Sequence, residues 1–316
     1  MNKTPTAVVF AYGDVGVRCL RVLLDAGVRV PLVITHSDDP DETRWFGSVA
    51  ELAADHGLTC VAPAEPNSPG FLASVSEVVG RPDFLFSFYY RRMLSSRWLA
   101  LPASGAFNMH GSLLPKYRGR APVNWAVIHG ERETGATLHA MNERPDNGAI
   151  VDQCAVPILG DDTARDVFNK VVVAAEVVLS RCLPHLVDGT AVLTPQDLSL
   201  GSYFGARRPE DGRISVDASV LRIHDLVRAL APPFPGAFFL KDARRVFIER
   251  TRHAAPPPGA PDGQLRLWSD GTALWLMSSD GGALQVLAAR MEGESTLLDA
   301  AGFQRRFEGG CIHADA

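Results

Sequence analysis

The chain of 316 residues is 46% apolar and 21% charged, with a formal net charge of −5 and a pI near 6.0. This length predicts two domains, and the composition is that of an ordinary globular protein. No apolar run approaches the roughly 18 residues that a membrane span requires. The acidic balance gives no general attraction to nucleic-acid phosphate, so DNA and RNA are disfavoured as partners.

Neither a secretory signal nor a metal site is indicated. The N-terminal apolar stretch is short and breaks at Gly13-Asp14, as a buried first strand does. The five cysteines lie far apart, and none forms a CxxC pair or a Cys/His cluster with zinc spacing. We therefore expect reduced thiols, no bound metal and a cytoplasmic location.

The first half of the chain alternates short apolar strands with helices. Strands are predicted at residues 7–12, 30–35, 59–63 and 84–88, and helices at residues 13–27, 49–56 and 71–79. This alternation predicts an α/β fold with a Rossmann-like, mostly parallel sheet and helices on both faces. Ligands of such sheets bind beyond the carboxyl ends of the strands. The first loop lacks GxGxxG spacing, which disfavours nicotinamide binding.

A long helix is predicted to begin at Asp162-Thr163, where Thr163 and Asp166 match a capping box.

The character of the sequence changes after about residue 202. A helical pattern at residues 218–231 and several short strands with turn signals follow, which predicts a small, OB-like C-terminal β-barrel. We place an N-terminal catalytic domain at residues 1–204 and the barrel domain at residues 205–316.

The stretch FNMHGSLLPKYRGRAP, residues 107–122, carries the strongest chemical signal. Asn108 and His110 stand two residues apart on an extended segment, so their side chains point the same way. Asp146, in the turn PDNG, is a candidate partner because a carboxylate favours the charged form of an imidazole. A packed core histidine and a simple turn-forming aspartate are the alternatives that these residues leave open.

The same stretch holds three cations, Lys116, Arg118 and Arg120, separated by tyrosine and glycine. Flanking prolines indicate a shaped loop, in which arginine suits planar carboxylate or phosphate groups. A solvated charged face is the alternative. Arg91 and Arg92, which follow the predicted strand at 84–88, could serve the same purpose or pair with surface acids.

Residues 107–151 resemble the core of the 10-formyltetrahydrofolate-dependent formyltransferases, which share an Asn-x-His-x-Ser-Leu-Leu-Pro segment and a later Asp before a Gly. The resemblance covers essentially the whole chain. It is closest to the formyltransferase half of the bifunctional UDP-4-amino-4-deoxy-L-arabinose formyltransferase/UDP-glucuronate decarboxylase, with VVFAY, FSFYYR and FGARRPEDG as further shared features. The 316 residues hold only the transferase part.

The resemblance implies transfer of a formyl group from 10-formyltetrahydrofolate to the amine of UDP-4-amino-4-deoxy-L-arabinose, in lipid A modification and polymyxin resistance. It implies Asn108, His110 and Asp146 as catalytic residues. It also implies a folate pocket formed by Arg92, Met93, Leu94, Arg120, Asn142, Glu143, Arg144 and Pro145.

The expected partners are the two small substrates, with neither nucleic acid nor a membrane span. A homo-oligomer or an association with a separate UDP-glucuronate decarboxylase stays open. One alternative is a methionyl-tRNA formyltransferase, a group that usually has a small residue where this chain has Arg120. The other is a non-catalytic folate or nucleotide sensor.

Overall fold

The structure is a computed structural model that describes residues 4–37, 45–261 and 263–315. The chain forms two compact units. The first comprises Met1–Pro122, Glu133–Pro157 and Phe168–Gly205, and the second comprises Val123–Arg132, Ile158–Val167 and Ala206–Ala316. The domain limits of 1–204 and 205–316 remain a proposal.

The first unit is built on a seven-stranded sheet. Its strands are β1 (Thr6–Ala11), β2 (Arg29–Ile34), β3 (Cys60–Val61), β4 (Phe84–Phe88), β5 (Gly105–His110), β7 (Glu133–Ala140) and β8 (Ile150–Pro157). The spatial order is β3-β2-β1-β4-β5-β7-β8. The first five strands are parallel, whereas β7 is antiparallel to both β5 and β8. The predicted mostly parallel sheet is confirmed.

Helices accompany this sheet. They are α1 (Gly13–Asp25), α2 (Val49–Asp55), α3 (Pro69–Val79), α4 (Ser96–Ala100) and α6 (Ala164–Val187), whose first turn belongs to the second unit. Apart from Pro122, α5 (Pro122–Ile128) also belongs to the second unit. All six residues of β1 are buried, as expected for a parallel strand covered on both faces. The capping box predicted for α6 is present, since the Thr163 N–H donates to the Asp166 carboxylate and the Asp166 N–H donates to the Thr163 hydroxyl.

Two neighbouring strands end at the edge that carries the chemistry. β4 and β5 are parallel, and Ser87 pairs in register with Asn108. The segment that begins at Tyr89 and the segment that holds His110 therefore leave the sheet side by side. Both segments therefore lie at the carboxyl edge, where ligands of such sheets bind.

A short second pairing shapes the chain beyond β5. The strand β6 (Arg118–Gly119) lies parallel to β9 (Tyr203–Phe204). The Tyr117 ring also stacks on the Phe204 ring, with centroids 5.4 Å apart and an interplanar angle of 17°. The cationic loop, which holds Lys116, Arg118 and Arg120, is thus fixed by backbone pairing and a ring contact.

The second unit contains an antiparallel six-stranded sheet. Its strands are β10 (Ala237–Lys241), β11 (Arg244–His253), β12 (Arg266–Ser269), β13 (Leu274–Met277), β14 (Ala283–Met291) and β15 (Cys311–His313), in the order β10-β11-β14-β13-β12-β15. The Asp315 N–H donates to the Leu240 carbonyl at 2.8 Å, which nearly closes the sheet. The predicted barrel is confirmed.

The remaining helices of the second unit are α7 (Val220–Leu230) and α8 (Ala300–Arg306). The side chains of Phe239, Leu267, Leu284 and Phe303 are fully buried in this unit and form much of its core. Short 3₁₀ turns span Leu198–Leu200, Pro209–Gly212 and Glu308–Gly310. Within the described residues, no helix is both long and apolar enough to cross a membrane.

Candidate active site

Asn108 and His110 lie at the carboxyl end of β5 and share one face of the strand. Met109, between them, points the other way and is buried. β5 lies between the parallel β4 and the antiparallel β7, so its backbone is held on both sides. This pairing fixes the direction in which the two polar side chains project.

His110 bridges two oxygen acceptors and is almost fully buried. Its Nε2 lies 2.8 Å from the carbonyl oxygen of Tyr117 and donates to it. Its Nδ1 lies 3.5 Å from Oδ1 of Asp146. Both ring nitrogens therefore face an oxygen, and only the protonated ring carries an N–H on each.

Asp146 gathers donors from three segments. Its Oδ2 accepts the backbone N–H of Gly119 at 2.9 Å, and its Oδ1 accepts the Asn108 amide at 3.4 Å. Burial alone would raise the pKa of Asp146, but the nearby His110 ring and the Gly119 N–H hold it well below its usual range. The site thus contains a carboxylate that stays ionised throughout the neutral pH range.

The Asp146 loop is itself fixed. Asp146 has a left-handed backbone, with φ of 53°. The Gln196 amide donates to the carbonyl oxygens of Asp146 and Gly148, at 3.1 and 2.6 Å. A Cβ at Gly148 would overlap the carbonyl oxygen of Ala140, so glycine is required there. These contacts hold the carboxylate in place before any ligand binds.

Asn108 has protein partners for both of its amide hydrogens. Its Nδ2 lies 3.2 Å from Nε2 of His139 and 3.4 Å from Oδ1 of Asp146. Both distances are at the long end of hydrogen-bond geometry. A substrate oxygen could therefore replace the present acceptor of one of these N–H groups with little loss of free energy. Hydrogen bonds of catalytic groups are often long before a substrate binds.

A cavity of about 430 Å³ lies at the carboxyl ends of β1 and β2. Tyr12, Thr35 and His36 line it. The Arg91 guanidinium stands 4.5 Å from the centroid of the Tyr12 ring. A polar and aromatic cavity of this size, with an arginine beside it, suits a small ligand that carries negative charge.

His36 is a neutral part of that cavity wall. Its ring stacks on Tyr90 at 4.1 Å, and its Nε2 accepts the backbone N–H of Arg91 at 2.9 Å. Burial, followed by the charges of Arg91 and Arg92, lowers the pKa of His36 to about 4. The ring therefore acts as a hydrogen-bond acceptor at neutral pH.

The sequence matches the family described as formyl transferase over residues 18–183. This chain belongs to that family. A second match, to the formyl transferase C-terminal domain, covers residues 207–306 and hence most of the barrel.

Solved structures share the fold of this formyl transferase. One is an N-formyltransferase from Helicobacter canadensis in complex with folinic acid and dTDP-3-aminofucose, with 20% identity, a TM-score of 0.67, and 90% of this chain and 99% of that chain covered. Another is WlaRD, a sugar 3N-formyl transferase, in the presence of dTDP and 5-N-formyl-THF, with 19% identity, a TM-score of 0.68, and coverage of 92% and 99%. A sugar N-formyltransferase from a Shewanella species has 24% identity, a TM-score of 0.62, and coverage of 78% and 97%.

The residues expected to bind folate fall into two exposed segments and one loop position. Met93 is half-exposed, and the Arg92 guanidinium donates to the carbonyl oxygen of Ala64. Asn142, Glu143, Arg144 and Pro145 are exposed, and the Asn142 side chain accepts the Arg144 N–H at 2.9 Å. The third part is Arg120, whose side chain is exposed while its N–H donates to the Phe204 carbonyl at 2.9 Å.

Leu94 differs from the other seven, because its side chain is buried in a core cluster with Phe10 and Tyr90. Met141, next to Asn142, packs against the same cluster. The two exposed segments are therefore joined through shared apolar contacts. Leu94 can support a folate pocket through apolar packing, and its side chain offers no polar contact to a ligand.

Sequence reasoning missed His139 and Gln196. His139 stands directly opposite Asn108 in the β5–β7 pair, a relationship that requires the strand register. The available signal was the alternation in TGATLHA, which puts Thr137 and His139 on one face of a strand. Within the described ranges, no group of three or more His, Cys, Asp or Glu residues is placed to hold a metal ion.

Proposed function

We propose that this formyl transferase moves the formyl group of 10-formyltetrahydrofolate to the amine of a sugar nucleotide. The observation that carries the proposal is the cluster of Asn108, His110 and Asp146 at the carboxyl edge of the sheet. A half-buried amide, an imidazole and an ionised carboxylate suit acyl transfer to an amine, and this reaction needs no covalent nucleophile.

In this reaction the neutral amine attacks the formyl carbon, and a new carbon–nitrogen bond forms. Negative charge develops on the formyl oxygen, where N–H groups of Asn108 and His110 would donate to it. One well-placed donor contributes about 3–4 kcal/mol to such a transition state. The bond from the formyl carbon to N10 then breaks, and N10 takes up the proton that the amine loses.

His110 is the group proposed to move that proton. In the unliganded site its Nε2–H donates to the Tyr117 carbonyl, so the substrate would take over this hydrogen bond. Asp146 faces the opposite ring nitrogen and would hold the ring in this orientation. The low pKa of Asp146 supports this role, because the carboxylate remains an anion while the imidazole gains and loses its proton.

The folate would bind along the two exposed segments that follow β4 and β7. Arg92, Arg120 and Arg144 can meet the carboxylates of the folate tail, since arginine recognises planar anions with two parallel hydrogen bonds. Met93 offers apolar contact to the ring system, and Leu94 supports it. Asn142, Glu143 and Pro145 shape the remaining wall.

The proposed acceptor is UDP-4-amino-4-deoxy-L-arabinose, on the basis of the sequence resemblance. The cavity at the ends of β1 and β2 has room for part of a nucleotide. β1 and β2 lie two and three strands from β5 in the sheet order, which is about 10 and about 14 Å at normal strand spacing. A sugar nucleotide is long enough to reach from this cavity to His110. The reaction would then serve lipid A modification in the cytoplasm and resistance to polymyxin.

The test offers the purified protein one folate donor and three acceptors in parallel. These are UDP-4-amino-4-deoxy-L-arabinose, a dTDP-linked 3-amino sugar and initiator methionyl-tRNA. The proposal expects the fastest formylation with the UDP sugar, whereas faster formylation of the tRNA reverses it. A thermal shift with folate and no turnover on any acceptor indicates a sensor. Light scattering, alone and with a UDP-glucuronate decarboxylase, tests the proposed homo-oligomer and association.

A further inference from the structure

His139 contacts two of the three residues assigned to catalysis. It lies on β7, opposite Asn108 in the antiparallel pair with β5, and is almost fully buried. Directly opposed side chains on one sheet face are close enough to interact. Its Nε2 is 3.2 Å from the Asn108 amide nitrogen and 3.5 Å from Oδ1 of Asp146.

The tautomer of the neutral ring follows from its other contact. Nδ1 of His139 lies 2.8 Å from the carbonyl oxygen of Ala140. A carbonyl can only accept, so Nδ1 carries the hydrogen and Nε2 has the lone pair. Nε2 then accepts one N–H of Asn108. The contacts form one chain, in which His139 donates to Ala140 and Asn108 donates to both His139 and Asp146.

This chain determines how the Asn108 amide is oriented. If the amide were turned over, its oxygen would face the lone pair of His139 and the carboxylate of Asp146, which are both acceptors. The resulting repulsion and the unsatisfied buried groups would be costly. His139 therefore selects the orientation in which Asn108 presents its N–H groups towards Asp146.

We propose that His139 is a positioning residue for formyl transfer, which holds Asn108 as a hydrogen-bond donor and fixes its distance from Asp146. This inference rests on the proposed function. It assigns no contact between His139 and either substrate. A buried histidine that only fills space and satisfies the Ala140 carbonyl is the competing explanation.

Two polar variants separate these explanations. The amide of glutamine reaches the position of Nε2, so His139→Gln keeps an acceptor for Asn108. The shorter amide in His139→Asn reaches only the position of Nδ1, so it keeps the bond to Ala140 and loses Asn108. We expect His139→Asn to lower kcat by about 10- to 100-fold, because small misplacements of a catalytic group have effects of this size. Its KM values should change less than about 3-fold, and His139→Gln should retain kcat within about 5-fold.

The matched control is His224→Asn. His224 is equally buried, belongs to the second unit, and bonds to Thr251 and Gly160 at 2.9 and 3.1 Å. It should lose stability without loss of kcat in the folded fraction. Equal kcat values for His139→Asn, His139→Gln and the wild type overturn the inference. The inference is also overturned if the kcat losses of the two His139 variants are proportional to their losses of stability.

A second measurement does not depend on turnover. Long-range ¹⁵N–¹H NMR of the imidazole rings in the wild-type protein reports which nitrogen of His139 carries the hydrogen. The inference requires a hydrogen on Nδ1 and none on Nε2, and a ring with a hydrogen on Nε2, whether neutral or charged, contradicts it. If no acceptor is formylated but the Nδ1–H form is found, the proposed function has failed while the hydrogen-bond chain stands.

Discussion

The backbone N–H of Gly119 donates to Oδ2 of Asp146 at 2.9 Å and so joins the cationic loop to the carboxylate of the site. Gly119 has φ of +97°, and a Cβ there would overlap the carbonyl oxygen of Phe204. Glycine is therefore required on steric and conformational grounds. The loop beside His110 and the loop that carries Asp146 depend on one another through this residue.

We predict that Gly119→Ala destabilises the protein by about 1–3 kcal/mol and lowers formyl transfer, because the strained backbone withdraws a donor from Asp146. Denaturant unfolding and initial rates measure the two effects. Gly70→Ala is the control, since Gly70 lies in the first turn of α3 with open space around it. An unchanged rate and unfolding midpoint in Gly119→Ala would contradict the role given to this contact.

Gly111 makes room for Tyr89. A Cβ at Gly111 would overlap the Tyr89 hydroxyl, and the ring carbon that bears this hydroxyl would lie 2.9 Å away. We predict that Gly111→Ala displaces the adjacent His110 and greatly reduces turnover. Tyr89→Phe in the same chain should recover part of the loss, because the hydroxyl is gone while the ring stays close. If Tyr89→Phe restores no activity in the double mutant, the overlap with the Tyr89 hydroxyl is not the cause of the loss in Gly111→Ala.

Tyr89→Phe alone should be tolerated. The Tyr89 hydroxyl is buried and has no hydrogen-bond partner among the described residues. Removing an unsatisfied buried hydroxyl leaves stability unchanged or raises it by up to about 1 kcal/mol. Thermal or denaturant unfolding measures the difference, and a loss of more than about 1 kcal/mol would reveal a partner for the hydroxyl.

His36 should make stability depend on pH. Its pKa falls from 6.5 to about 4 on folding, so between these values the unfolded chain binds more protons than the folded one. Stability therefore rises with pH over this window, and the full penalty is present below about pH 4. We predict that the difference in unfolding free energy between the wild type and His36→Gln follows this slope. A difference that is flat from pH 4 to 7 contradicts it.

Asp146 should change stability in the same direction as His36, but over a lower pH range. Its pKa is lowered in the folded protein, so its contribution to stability is present above the unfolded value of about 3.9 and is lost as the pH falls below it. We predict that Asp146→Asn abolishes formyl transfer at every pH from 5 to 9, because the wild-type carboxylate is ionised over this whole range. If Asp146→Asn regains activity at low pH, the reaction does not require the negative charge of Asp146.

Much of the fold follows from apolar patterning. The strand predicted at residues 84–88 coincides with β4, because FLFSF is an apolar run bounded by turn residues. The antiparallel edge formed by β7 and β8 could not be predicted, since strand direction depends on which neighbours pair. β15 of the barrel is short, and it pairs with β12, which is far from it in the sequence.

The site could be predicted only in part. Asn108 and His110 share a face because residues two apart on any strand do so. Asp146 lies in a loop between β7 and β8, so its distance from His110 depends on the Gln196 and Gly119 contacts. The proximity of His139 depends on the register between β5 and β7. Local spacing carries none of this information.

The central claim is that His110, with Asn108 and Asp146, performs formyl transfer. It is tested most directly by tetrahydrofolate release from 10-formyltetrahydrofolate and UDP-4-amino-4-deoxy-L-arabinose, with the wild type compared with Asn108→Ala, His110→Ala and Asp146→Ala. We predict a loss of at least about 100-fold in each variant while unfolding shows that each stays folded. A folded His110→Ala protein with near-wild-type turnover would contradict the account.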